Sequence, residues 1–184
     1  MLVIPLEKRI ENTPIKQVQE FVRRQPQCFE RTCLEGHVTG SAFLLSYDLS
    51  KVLLTEHKKL DKWLQLGGHS DGNPNTAQVA YREAIEESGI KDLVFLSDDI
   101  MDVDVHLIPK TEKEPQHFHY DIRFFLKAPH NATFKVSAES HELKWFRPEE
   151  VQNLKTDRSL LRLVEIWKKI AAYEFEVDIR EQSS

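Results

Sequence analysis

The chain predicts an α/β fold, a sheet flanked by helices, because that is how extended segments and amphipathic helices bury their apolar faces together. Three observations carry the expectation. Short extended segments bounded by polar turns recur through most of the chain, a helix with an acidic turn follows Gly67-Gly68, and a strong helical stripe closes the sequence. With 184 residues, 40% hydrophobic and 30% charged, the chain suits one core rather than two. Residues 1–184 are therefore expected to form a single domain: an N-terminal helical extension over 1–35, a core over 36–150, and a C-terminal helix and tail over 151–184.

In chain order, the first helix is expected to be capped by Thr13, opened by Pro14 and stopped by Pro26, with Ile15, Val18, Phe21 and Val22 on one face. That apolar face suits packing as an N-terminal addition or at a subunit contact, which makes a homodimer plausible. Extended segments follow at His37 to Leu45, Lys51 to Thr55, and Trp63 to Leu66, the first two separated by the turn Tyr47-Asp48-Leu49-Ser50. After the acidic helix come extended runs at Leu93 to Leu96, Asp102 to Ile108, Gln116 to Leu126 and Leu143 to Phe146, with Pro109 to Pro115 as an exposed hairpin loop. Pro148 opens a short helix. Leu160, Leu163, Val164, Trp167, Ile170 and Ala171 form the closing stripe after Asp157, and Asp178 to Ser184 is expected to fray.

A net charge of −5 and an isoelectric point near 5.9 give no broad attraction for a polynucleotide or an anionic membrane. No segment approaches the ~20 apolar residues of a membrane span, and the first residues lack the order of a secretory signal, so the expected location is the cytoplasm. Cys28 and Cys33 form a lone C-x4-C without a second pair, which reads as two reduced structural thiols.

The chemistry concentrates in Arg82-Glu83-Ala84-Ile85-Glu86-Glu87-Ser88-Gly89-Ile90. At 3.6 residues per turn, Glu83, Glu86 and Glu87 share an arc of roughly 100° on one helical turn. Like charges so placed repel, and a hard divalent cation removes that cost. A solvated acidic face with Arg82 paired to Glu86 is the plainer alternative. The flanks weigh against it: Gly67-Gly68 marks a backbone approached closely, and Gly89 a helix stop. Asn73 ahead of Pro74, or Asn75 with Gln78, can cap the helix.

The stretch GHSDGNPNTAQVAYREAIEESGI, Gly68 to Ile90, resembles the box G-x5-E-x7-REUxEExGU of the Nudix hydrolase superfamily, U being aliphatic. It matches at Gly68, Arg82-Glu83, Glu86-Glu87, Gly89 and Ile90, with Ala84 at the first aliphatic position. Pro74 replaces the first glutamate, so that carboxylate's part is missing or falls to Asp71.

The resemblance implies an α/β/α sandwich with a mixed sheet, and a pyrophosphohydrolase using Mg2+ or Mn2+ held by the Gly67 carbonyl, Glu83, Glu86 and Glu87. Glu83 and Glu87 are the first choices for direct ligation, Glu86 a third or water-bridged ligand, and Arg82 a group that orients a glutamate. The base for the attacking water is expected inside the box or on a later loop, where Glu139 and Glu142 are the candidates and Glu139 is preferred. The implied substrate is a nucleoside diphosphate linked to another moiety: ADP-ribose, another NDP-sugar, a dinucleoside polyphosphate or a noncanonical nucleotide.

His117, His119 and Asp121 alternate on a strand and project from one face, where His106 can join them. They could ligate zinc, orient a phosphate, or hydrogen-bond a sugar and base; a polar, solvated face is the plainer alternative. His69, His117 and His119 are the candidate substrate contacts, while His37, His57, His130 and His141 have no individual assignment. Two other readings stand beside hydrolysis. Isopentenyl diphosphate isomerases carry Cys-Gly-His where this chain has Gly67-Gly68-His69, and a noncatalytic nucleotide sensor is suggested by Pro74.

Overall fold

A computed structural model of the chain describes residues 13–182 apart from 59, 113 and 137–139. Its elements are α1 (Thr13–Arg24), β1 (Gly36–Leu45), β2 (Val52–His57), β3 (Lys62–Leu64), β4 (Leu66–His69), α2 (Thr76–Ser88), β5 (Val94–Phe95), β6 (Asp102–Ile108), β7 (His117–Lys127), β8 (Ser140–Phe146), α3 (Pro148–Val151) and α4 (Arg158–Gln182). All eight strands join one mixed sheet.

Strand β1 is the organising element. It runs parallel to β7 along its whole length, from Gly36 opposite Phe118 to Leu45 opposite Lys127. Its other edge is shared: β4 pairs antiparallel with residues 39–42, and β2 with Leu44 and Leu45. The expected strand Trp63 to Leu66 therefore breaks at Gln65, where the chain changes partner from β2 to β1. Gly67 and Gly68 lie inside β4.

Side chains alternate between the two faces of a strand, and each face has its own core. Val38, Ala42 and Leu44 of β1, with Tyr120, Ile122, Phe124 and Leu126 of β7, pack beneath α1 and α2 through Phe21, Ala80 and Ala84. Phe43, Leu45 and Phe125 face the opposite way and pack with Leu160, Leu163, Val164 and Trp167 of α4. Helices on both faces make the α/β/α sandwich. Gly40 permits the approach of α2, since a Cβ there would lie 2.6 Å from the Thr76 carbonyl oxygen.

Of the apolar face of α1, Ile15 and Phe21 are buried, Val18 is partly buried and Val22 stays exposed. Phe21 is 1% exposed and stacks on Tyr120 with ring centroids 4.0 Å apart. Cys28 and Cys33 are buried and unbridged. The tail departs from expectation, because α4 continues to Gln182. No glycine or proline lies between Arg158 and Gln182 to stop it. Asp157 caps its start, its Oδ1 accepting from the backbone N–H groups of Ser159 and Leu160 at 3.1 Å each. No helix among the described residues is long and apolar enough to cross a membrane.

Candidate active site at the glycine pair

Helix α2 starts at Thr76, two residues beyond Pro74. Asn75 is the cap, its side chain accepting from the Gln78 N–H at 3.1 Å, while Asn73 Oδ1 accepts from the Asn75 N–H at 2.9 Å. Gly89 ends the helix in the left-handed region at φ 72°, its N–H bonded to the Ile85 carbonyl. Thirteen residues between these signals place Glu83 and Glu87, one turn apart, against β4.

The contact is close. A Cβ on Gly68 would lie 2.5 Å from both Cδ and Oε2 of Glu83, so only glycine leaves room for that carboxylate. One residue earlier, the Gly67 N–H donates to Glu87 Oε1 at 2.7 Å. Arg82 Nη2 donates to Glu83 Oε1 and to the His69 carbonyl, both at 2.7 Å, tying helix to strand end. The guanidinium thus turns to Glu83 rather than across a turn to Glu86, and Arg82 Nε is buried without a hydrogen-bond partner. Glu86 is exposed on the same turn.

Asp71, the candidate to supply the carboxylate absent at Pro74, is engaged by Arg31. It forms a bidentate pair with Arg31 at 2.7 and 2.9 Å, which holds its carboxyl below the usual range. Glu139 lies outside the described residues. Glu142 is exposed on β8, opposite Glu56 of β2, away from β4.

On the sheet face opposite α2, the parallel register aligns two polar stripes: His37, Thr39 and Ser41 of β1 lie beside His119, Asp121 and Arg123 of β7. Strand β6 adds His106, Asp104 and Asp102 in the same rows, and His69 of β4 sits opposite Thr39. The stripes divide by chemistry. At one end the imidazoles of His37, His117, His119 and His69 gather, the His37 and His69 rings 4.8 Å apart. Burial and neighbouring rings push His37 down to about 4 and His119 to about 2, while burial and then Arg31 lower His69.

At the other end, buried Arg123 contacts Asp121 at 2.7 Å, Asp102 at 3.3 Å and Asp104 at 3.4 Å, and Arg162 of α4 closes the network on Asp102 and Asp104. Asp121 also accepts from Thr39 at 2.9 Å and Ser41 at 2.7 Å. Its oxygens are thereby committed, so Asp121 does not join the histidines as the strand alternation suggested. His37 was missed from sequence; the signal lay in the alternation His37-x-Thr39-x-Ser41 inside an otherwise apolar strand, which matches the stripe on β7. A cleft of about 290 Å3 lined by Tyr47, Lys51, His130 and Trp145 opens near the far end of β1, and no residue of the acidic turn lines it.

Comparison with known proteins identifies the family and the fold. The model of the NUDIX domain matches residues 37–165. A crystal structure of a NUDIX-family hydrolase from Clostridium perfringens is 25% identical, with a TM-score of 0.58 over 73% of this chain and 97% of that one. An Ap4A hydrolase from C. elegans is 16% identical, with a TM-score of 0.60 over 73% of this chain and 97% of that one. The E. coli dihydroneopterin triphosphate pyrophosphohydrolase is 18% identical, with a TM-score of 0.55 over 70% and 92% respectively. No curated protein sequence matches the chain.

Proposed function

The chain belongs to the Nudix family of hydrolases, and from that premise we propose that it cleaves the diphosphate linkage of a nucleoside diphosphate joined to another moiety, such as ADP-ribose or another NDP-sugar. The observation that carries the reading is the convergence of Glu83 and Glu87 on the glycine pair of β4. Acidic side chains on a merely solvated face have no reason to require a missing Cβ on a neighbouring strand. The names of two structural neighbours, an Ap4A hydrolase and a triphosphate pyrophosphohydrolase, point to the same bond type.

The donor set fits Mg2+ or Mn2+. Hard cations take oxygen ligands, and Glu83, Glu87, exposed Glu86 and the Gly67 carbonyl would hold one while leaving positions for water and phosphate oxygens. When bound, such an ion neutralises charge on the diphosphate and lowers the pKa of a water. The protein's own part is positional. The Gly67 N–H fixes one Glu87 oxygen, and Arg82 braces Glu83 against the β4 end, so the carboxylates need not reorganise as substrate enters. Arg82 is a positioning residue. His69, following Gly68, is assigned to the substrate side, and Glu139 is our candidate for the proton acceptor. The small nucleotide substrate makes the cytoplasm the expected place of action.

Isomerase chemistry is disfavoured at Gly67, where even a Cβ would lie 2.3 Å from Ser41 Oγ and a cysteine has no room. A nucleotide sensor is the second reading, favoured by the pairing of Asp71 with Arg31 in a box that lacks its first glutamate. The test is a metal-supplemented screen of nucleoside diphosphate derivatives, reading phosphate released after phosphatase coupling, with Glu87→Gln as control. Glutamine can still accept from Gly67, so folding is kept while turnover falls by at least about 100-fold. Turnover unchanged in Glu87→Gln rejects the assigned site, and binding without turnover favours the sensor.

A further inference from the structure

We infer that His37, His117 and His119 form a second metal site, for a borderline divalent cation such as Zn2+, on the sheet face opposite the acidic helix. His119 Nε2 lies 3.1 Å from His37 Nε2 and 3.3 Å from His117 Nε2. One potential ligand atom from each of the three residues lies within 4.8 Å of the others. Tetrahedral zinc with Zn–N bonds of 2.0–2.1 Å sets its nitrogens about 3.3 Å apart, close to the two edges that meet at His119, while the edge between His37 and His117 lies within 4.8 Å and closes as the ion binds.

Hydrogen bonding alone does not account for this convergence. His117 Nδ1 lies 2.8 Å from the Pro115 carbonyl, which can only accept, so Nδ1 carries the proton and the neutral ring presents a lone pair at Nε2. His119 Nε2 has a single in-plane position, either a proton or a lone pair, yet it faces two neighbouring nitrogens. Whichever it holds, at least one of the two contacts lacks a linear hydrogen bond. A cation shared by the three nitrogens satisfies all of them at once. The carbonyl behind His117 is also the partner that metal-bound histidines use to fix tautomer and ring orientation.

The rings are held from several elements. His37 and His117 are 3% and 5% exposed, on β1 and β7. The parallel register places His37 directly beside His119, and His106, whose Nδ1 contacts Asp104 Oδ2 at 3.0 Å, backs His119 from β6. For His37 and His119, burial and the neighbouring rings favour the neutral form that a metal requires. Three ligands leave a fourth position for water or an anion, bordered by His69, whose ring is 4.8 Å from His37 and 5.3 Å from His119. Donor chemistry separates the two sites: imidazole nitrogen suits zinc, nickel and copper, whereas the carboxylates beside Gly67 suit magnesium and manganese. His117 and His119 thereby become ligands instead of direct substrate contacts. The assignment stands whether or not the chain proves to be a hydrolase.

The experiment is equilibrium dialysis of the untagged full-length chain against Zn2+ near neutral pH, with metal content and affinity measured for the unmodified chain, Glu83→Gln/Glu87→Gln and His119→Gln. One Zn2+ per chain is expected, retained in the glutamate variant and weakened at least about 100-fold in His119→Gln, since loss of an outer-shell partner alone costs 10–100-fold. Should His119→Gln fail to fold, the visible spectrum of the Co2+-loaded unmodified chain decides: intense bands of a four-coordinate ion support the site. No zinc uptake, uptake that survives His119→Gln but disappears with the glutamates, or only the weak spectrum of six-coordinate Co2+ overturns it.

Discussion

Gly68→Ala tests whether the acidic helix and the glycine strand act as one unit. The new Cβ would stand 2.5 Å from Glu83 Cδ and Oε2, about 0.9 Å short of the 3.4 Å at which ordinary contact begins. Glu83 is the partner that must yield, because the methyl group is fixed by a strand paired to β1. A side-chain carboxylate can swing aside at little cost in stability, and unfolding free energy is expected to change by less than about 1 kcal/mol. Catalysis tolerates the shift far less well. A misplacement near 1 Å costs on the order of 100-fold, or about 2.7 kcal/mol of barrier. Steady-state kinetics on the substrate found in the nucleotide screen, alongside urea unfolding, would show a fall in kcat with little change in Cm. Gly40→Ala is the opposing control, since its Cβ would meet helix backbone at 2.6 and 3.0 Å, which cannot rotate away. That variant is expected to lose about 1–3 kcal/mol of stability. If Gly68→Ala keeps kcat within about threefold, less than about 0.7 kcal/mol, the carboxylate's position relative to β4 does not matter and the reasoning fails.

Three further outcomes follow from the opposite sheet face and from α1. Arg123→Met leaves Asp121 buried without its cation, and urea unfolding should register a loss of about 3–5 kcal/mol; a neutral result would show that Thr39 and Ser41 suffice to hold the carboxylate. For Asp104, burial opposes ionisation, but the His106 hydrogen bond, Arg123 and Arg162 outweigh it and hold the carboxyl well below its usual range. A depressed folded pKa contributes stability that is present above about pH 4 and lost as pH falls further, so the acid limb of the stability profile should flatten in Asp104→Asn. Phe21→Ala removes a 1%-exposed ring stacked on Tyr120 and should cost about 3–5 kcal/mol in thermal or urea unfolding, whereas a detachable extension would cost almost nothing.

Local signals were legible where the relevant physics spans only a few residues. The i, i+4 spacing of Glu83 and Glu87, the left-handed stop at Gly89 and the capping asparagines are properties of one helix and its ends. The close approach at Gly67-Gly68 could be inferred from the absent side chains. The elements themselves were visible by period, and Asp102 to Ile108 agrees with the observed strand residue for residue. Misreadings arose where a chain segment changed partner or where nothing local bounded it, as at Gln65 between β3 and β4 and along the uninterrupted α4.

What the sequence determined by itself, then, is the acidic turn, its glycine counterpart and the alternation that sends His117, His119, Asp121 and Arg123 to one side of a strand. Tertiary structure decided what those residues meet. The parallel pairing of β1 with β7 brings His37 to His119 and Thr39 to Asp121 across 82 positions of sequence, sorting one polar stripe into a histidine cluster and a carboxylate–arginine network. Backbone periodicity is a local property of each strand. Register between distant strands is settled by burying both faces of the sheet at once, and no short window of sequence contains that constraint.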